Sequence, residues 1–223
     1  MKSSDTIQDI VIGMSDGLTV PFALAAGLSG AVNSAGIVVT AGIAEIVAGS
    51  IAMGLGGFLA GRTEADFYAS ELKREYDETE RMPGEERLEV VEVFAGFGLS
   101  EKLQQEAADE IIRDKDKWVD FMMRYELGLE KPRPNRATKS AITIGLSYVV
   151  GGIIPLSPYF FVSNSIHGLY ISCAITVVCL FVFGFLKSKA TGQPAFAGAL
   201  KVLVIGALAA TAAFVMAKLI NGK

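Results

Sequence analysis

The chain has 223 residues, of which 51% are hydrophobic, with mean hydropathy +0.43, 24 glycines and a formal net charge of −4. A soluble chain of this length spreads its charge along one core, yet here residues 62–135 hold 20 of the 24 acids and 12 of the 20 bases, a net of −8. The remaining 149 residues carry 4 acids and 8 bases, so two parts of one chain are adapted to different solvents. An acidic polar segment excludes nucleic acid as a partner. Cys173 and Cys179 stand six apart in an apolar run, which fits buried free thiols and no disulfide framework.

Ile10 to Gly61 is a run of 52 residues with only Asp16 and Glu45 charged. A helix crossing the hydrocarbon core needs about 20 residues, so two crossings are expected, near 8–30 and 35–61, broken at Gly30-Ala31-Val32-Asn33-Ser34. Asp5, Asp9 and Asp16 interrupt the N-terminus and speak against a cleavable signal peptide. Gly61-Arg62 to Glu80 continues the second crossing without a breaker, so 35–80 is expected as one helix of roughly 70 Å. Met82-Pro83-Gly84 stops it; a helix over 84–95 follows, Gly96 and Gly98 interrupt, and Ser100 caps a helix over 101–127. The segment 62–135 therefore reads as a three-helix insert.

Ser140 to Leu186 has no charge apart from His167, and Pro155-Leu156-Ser157-Pro158 splits it into crossings near 137–156 and 162–186. Thr191-Gly192-Gln193-Pro194 marks a further turn before a fifth crossing over 195–219, where Lys201 can snorkel. The expectation is an all-α polytopic membrane protein organised as 1–61, 62–135 and 136–223, with five crossings and the insert between the second and third. Arg62, Arg133, Arg136, Lys139, Lys187 and Lys189 fall on one side together with Lys2, and the loops near 31–34 and 156–162 hold no Lys or Arg. That asymmetry places the N-terminus and the insert in the cytoplasm and the C-terminus on the far side, with Lys218 and Lys223 as exceptions.

Candidate metal ligands occur in both parts. Glu75 and Glu78, and likewise Glu86 and Glu89, share helix faces at a spacing of three, while Met122, Met123 and Glu126 offer thioethers and a carboxylate from adjacent turns. Carboxylates suit divalent cations broadly and thioether sulfur biases toward transition metals. The same residues also fit a solvated acidic face with the methionines filling a core, and spacing leaves both readings open. No histidine lies in the segment, which argues against a ferritin-like oxidase with its Glu-x-x-His motifs and for reversible capture. Within the crossings, Asp16 lies between Gly13 and Gly17, and Glu45 precedes Met53 by eight residues on one face. Ionisable groups in a membrane helix mark an ion or proton pathway by default; the competing reading is a structural hydrogen bond. Gly54, Gly56, Gly57 and Gly61 suit close helix packing or a dimer surface. His167 reads as a polar interface residue.

Three runs carry a resemblance: Asp9-Ile10-Val11-Ile12-Gly13-Met14-Ser15-Asp16-Gly17-Leu18-Thr19-Val20-Pro21-Phe22-Ala23, then Glu45 with Met53-Gly54-Leu55-Gly56-Gly57-Phe58-Leu59-Ala60, then Arg62-Thr63-Glu64-Ala65-Asp66-Phe67-Tyr68. In these the chain resembles the vacuolar iron transporter family, plant-type members above all, over essentially its whole length. The resemblance implies a homodimeric, proton-coupled exporter in the vacuolar membrane that moves Fe2+ out of the cytosol, with Zn2+, Co2+ and Mn2+ as further candidate cargo and no catalytic cofactor. It implies Asp16 and Met53 as pathway ligands and Glu45 at the cytoplasmic mouth. It also implies Glu75, Glu78, Glu86, Glu89, Met122, Met123 and Glu126 as ligands of a cytoplasmic metal-binding domain. A membrane-anchored metal sensor or buffer is the alternative that needs no transport.

Overall fold

Long apolar runs separated by Asn, Pro and Gly become helices separated by short turns. The computed structural model describes residues 2–220, with side chains from Asp5 onward; Lys223 and the side chain of Lys2, both used in the orientation argument, lie outside that range. Among the described residues there are eight α-helices: α1 (Lys2–Ala31), α2 (Ala35–Arg81), α3 (Pro83–Gly96), α4 (Glu101–Ile111), α5 (Lys115–Tyr125), α6 (Arg136–Leu156), α7 (Ser165–Ala190) and α8 (Ala195–Ile220). A 3-10 turn, Ser157–Phe160, follows α6. Five helical stretches, in α1, α2, α6 with its 3-10 turn, α7 and α8, are long and apolar enough to cross a membrane. The chain divides into two compact units, one made of residues up to Phe58 and from Ala137 onward, the other of Leu59–Arg136.

In the apolar unit, α1 packs against α6, α7 and α8, and α7 packs on α8. A methyl on Gly13 would sit 2.7 Å from Ser147 Cβ, and one on Gly17 would sit 2.9 Å from Tyr148 Cα. Only glycine lets α1 lie that close to α6, which is the close-packing role the small residues of membrane helices serve. Gly54 and Gly57 of α2 likewise face α6, while Gly56 faces open space. The core at one end gathers Ala25, Ala35, Val38, Ile46, Leu156 and Tyr159. There the α1–α2 turn and the segment before α7 exchange backbone hydrogen bonds, Ala35 N–H to Ser163 O and Ser165 N–H to Asn33 O, each 3.0 Å. Asn164 caps α7 by accepting from the N–H groups of Ile166 and His167, which leaves His167 exposed on the first turn. The two cysteines are free, as expected, but half-buried.

In the acidic unit the expected break at Met82-Pro83-Gly84 is present, with Pro83 at the first helical position of α3. Gly98 takes a left-handed φ of +80° and Ser100 stands at the N-cap of α4 without a side-chain capping bond. One expectation is corrected: 101–127 is two helices, not one. Asp114 caps α5, its Oδ1 accepting from the N–H groups of Asp116 and Lys117, and α4 ends at Ile111. The break folds α5 back so that Trp118, Phe121 and Met122 join Val90 and Ala108 in one core, each large side chain contributing about 1.5–3 kcal/mol by burial. Tyr76 on α2 donates to Asp116 at 2.7 Å and Lys115 pairs with Glu80, tying α5 to α2; Arg87 pairs with Asp109 at 2.7 Å between α3 and α4.

Candidate functional site

The candidate residues form two groups, one in each unit.

In the apolar unit, α1 supplies Asp16, α2 supplies Glu45 and Met53, and all three are half-buried. The Tyr148 hydroxyl of α6 donates to Glu45 Oε1, while Glu45 Oε2 is buried with no hydrogen-bond partner. Gly49, one turn beyond Glu45, makes room for this contact, since a methyl there would lie 2.6 Å from Tyr148 Cε1. On its other side the Tyr148 backbone lies against Gly17, the neighbour of Asp16, and the Asp16 carboxylate is within electrostatic reach of the Tyr148 hydroxyl. Asp16 itself has no hydrogen-bond partner among the described residues. The structure thus gathers Asp16, Tyr148 and Glu45 around one crossing point of α1, α2 and α6; Met53 follows Glu45 two turns along α2.

Two residues here went unassigned by spacing. Asp9, seven residues before Asp16 on α1, is only 4% exposed and accepts a 3.0 Å hydrogen bond from Ser140 of α6. Tyr148 is the other, and its only signal in the sequence is a polar-tipped ring well inside a helix expected to cross the membrane. For a chain that moves metal as the resemblance implies, Tyr148→Phe should slow uptake by reconstituted protein roughly tenfold, the scale of one hydrogen bond to a charged group, with the purified chain still folded. Uptake at the unsubstituted rate would remove Tyr148 from the site.

In the acidic unit, Glu75 and Glu78 lie on α2, Glu86 and Glu89 on α3, and Met122 and Met123 on α5, with Glu126 as the residue that caps α5. Glu75 is 1% exposed and Glu86 4% exposed, and each has one carboxylate oxygen, Oε2, buried without a partner. Their neighbours Glu78 and Glu89 are half-buried and Glu126 is exposed. Met122 and Met123 are fully buried, and Met122 belongs to the unit's core, so the core-filling role holds for it whatever else it does. Arg74, which spacing did not single out, pairs with Glu71 at 2.9 Å, Glu75 at 3.4 Å and Glu78 at 3.3 Å.

The five glutamates feel one another. Burial first, then Glu89, Glu75, Glu78 and Glu126, raises the Glu86 carboxyl to about 7. Glu126 is also raised to about 7, by partial desolvation and then by Glu89 and Glu75, and Glu89 is raised by burial with Glu78 and Glu92. Carboxyls that hold protons this tightly report a site short of positive charge. Among the described residues no group of three or more His, Cys, Asp or Glu converges as a closed metal cage. The arrangement is a set of mutually repelling carboxylates from α2, α3 and the end of α5, partly neutralised by one arginine, with Met122 and Met123 buried on the same α5. Chemically it can take up a proton or a cation, and it offers no nucleophile–base pair.

Comparison with known proteins shows what the whole chain is similar to. Vacuolar iron transporter 1 of Tulipa gesneriana is 48% identical over 98% of this chain and 89% of its own length. Vacuolar iron transporter 1 of Oryza sativa subsp. japonica is 49% identical over 98% of this chain and 87% of its own. Protein CCC1 of Saccharomyces cerevisiae is 41% identical over 96% of this chain and 69% of its own. With a family model matching residues 7–218 as well, this chain belongs to the VIT family.

Proposed function

We propose that this chain carries ferrous iron across the vacuolar membrane from cytosol to lumen in exchange for protons. The observation that carries the reading is the pair of carboxylates, Asp16 and Glu45, without full hydrogen bonding in helices long and apolar enough to span a bilayer. Such groups are expensive in a membrane helix unless an ion or proton uses them. The Tulipa and Oryza relatives bear the name of vacuolar iron transporters, which supports the choice of metal and compartment. The chain is a transporter and not an enzyme.

In this reading the acidic unit faces the cytosol and collects metal on Glu75, Glu78, Glu86, Glu89, Met122, Met123 and Glu126. Lys187, Lys189 and Arg136 mark the cytoplasmic ends of their helices by the loop-charge rule. Metal then enters past Glu45 and is held by Asp16 and Met53. A carboxylate binds metal only when ionised, so protonation of Asp16 from an acidic lumen releases the cargo and deprotonation restores the site. Thioether ligands favour transition metals over magnesium or calcium, leaving zinc, cobalt and manganese as competing cargo. The chain works as a homodimer; α2 leaves Ile43, Val47, Ile51, Leu55 and Leu59 exposed along one stripe, a surface for lipid or a second copy.

A metal buffer held in the membrane would need the acidic unit but would leave Asp16 and Glu45 without a task. The two readings separate on proton movement. Vesicles loaded with a pH-sensitive dye at acidic pH should become less acidic inside when ferrous iron is added outside, and only with protein present. Metal entry without any proton exit would contradict the exchange.

A further inference from the structure

The last 93 residues, 131–223, contain no Asp or Glu, yet they carry a group of lysines at the α7–α8 turn. Lys187 and Lys189 lie in the last turn of α7, and Lys201 sits on the second turn of α8. The helices touch closely there: a methyl on Gly184 would lie 2.9 Å from Ala199 Cα, and Phe181 meets Phe196 edge-on at 5.8 Å. That packing brings Lys187 and Lys201 to the wall of one cavity of about 350 Å3, also lined by Ser188, Thr191, Gln193 and Gly198. No acidic side chain lines it, and neither lysine has an ion-pair partner among the described residues.

The usual internal partners for these ammonium groups are occupied. The carbonyls of Lys187, Ser188 and Lys189 at the end of α7 accept from the N–H groups of Thr191, Gln193 and Gly192 in turn. The Thr191 hydroxyl also donates to the carbonyls of Lys187 and Ser188, at 3.1 and 3.2 Å, so the turn closes α7 without help from the lysine side chains, leaving two cations on the wall of a cavity that also offers the amide of Gln193. Val202 and Ile205, on the α8 face that carries Lys201, add apolar wall to the same cavity. A ligand with an anionic, hydrogen-bond-accepting head and an apolar tail fits both parts.

We propose that this cavity is a binding site for the headgroup of an anionic phospholipid, with the phosphate between Lys187 and Lys201 and the acyl chains along α7 and α8. The inference rests on the reading of α7 and α8 as membrane-spanning helices, which places their connecting turn at headgroup depth. Lysines close to a membrane surface each favour anionic lipid measurably, and here the two are fixed on one cavity instead of spread along a tail. The lipid supplies the counter-charge that this part of the chain lacks.

The test is native mass spectrometry of the purified full chain in neutral detergent, with short-chain phosphatidic acid, phosphatidylcholine or inorganic phosphate added. Phosphatidic acid should be retained at one equivalent per chain and phosphatidylcholine should not. Lys187→Gln/Lys201→Gln should weaken retention by at least roughly tenfold, and Lys218→Gln, at the opposite end of α8 over Phe214, should leave it unchanged. Should the double variant fail to fold, Lys187→Arg/Lys201→Arg retains binding and single Lys201→Gln loses it severalfold. Equal retention of phosphatidylcholine, or undiminished binding by the glutamine variants, overturns the site. Complete displacement by millimolar phosphate overturns its assignment to a lipid. The assay contains no transported metal, so its failure and the failure of iron transport are separate results.

Discussion

Vesicles carrying Asp16→Ala take up no more ferrous iron than empty vesicles, a loss of at least about a hundredfold against the unsubstituted chain. The size follows from what the residue would do. Asp16 is half-buried, has no hydrogen-bond partner among the described residues, and lies on the helix whose Gly17 contacts Tyr148. Removing a lone charged ligand takes away a metal contact and the proton acceptor together, and intramembrane acids of this kind are retained for ion movement. The fold loses little, because no internal hydrogen bond is broken. The measurement is initial uptake at matched protein content, alongside metal binding by the same preparation. Binding by the acidic unit should survive. Full uptake by Asp16→Ala would remove Asp16 from the pathway.

The second large effect runs in two directions at once. Glu86 is buried, has an unpartnered oxygen, and its carboxyl is raised from 4.5 to about 7. A folded-state carboxyl raised above its unfolded value binds protons more tightly in the folded chain. Stability is therefore greatest at low pH and falls as pH climbs from about 4.5 through 7. A shift of that size corresponds to on the order of 3 kcal/mol at pH 8. Glu86→Gln keeps the shape and cannot ionise, so with chelator present it should raise the melting temperature at pH 8 and change it little near pH 5. The same substitution should weaken binding of zinc, a redox-stable stand-in for ferrous iron, by tenfold or more. Zinc affinity of the unsubstituted chain should itself rise from pH 6 to 8 as Glu86 and Glu126 lose their protons. A residue kept at the expense of stability for the sake of a ligand behaves this way. Lower stability in Glu86→Gln at pH 8, or unchanged zinc affinity, would give the residue a purely structural role.

The membrane helices were legible because their signals are long and redundant. Apolar runs of 20 or more residues ended by Asn, Pro or Gly leave little freedom, and the observed helix ends fall within a few residues of those expected except at the start of α1 and the end of α7. The missed boundary between α4 and α5 has no such punctuation. Ile112-Arg113-Asp114 contains neither Gly nor Pro, and the break depends on the Asp114 cap and on burying Trp118 and Phe121, which is tertiary information. The site shows the same limit. Spacing put Glu86 and Glu89 on one face, but nothing in Glu85-Glu86 says that the second is buried and the first exposed. The Tyr148–Glu45 contact joins residues 103 apart, and only the packing of α2 on α6 reveals it. Arg74 was hidden for a different reason: one arginine among many charges looks like surface until its three carboxylate partners are seen.

Metal that passes through the bilayer must build up beyond what the acidic unit can hold at its surface. The most direct measurement is accumulation of ferrous iron inside acid-loaded vesicles under anaerobic conditions, expressed per chain and followed with and without a protonophore. Transport across the bilayer gives many equivalents of internal iron per chain, reached only while the pH gradient stands and collapsing when it is dissipated. Iron that saturates at the stoichiometry of the acidic unit and stays accessible to an external chelator, whatever the gradient, would contradict it.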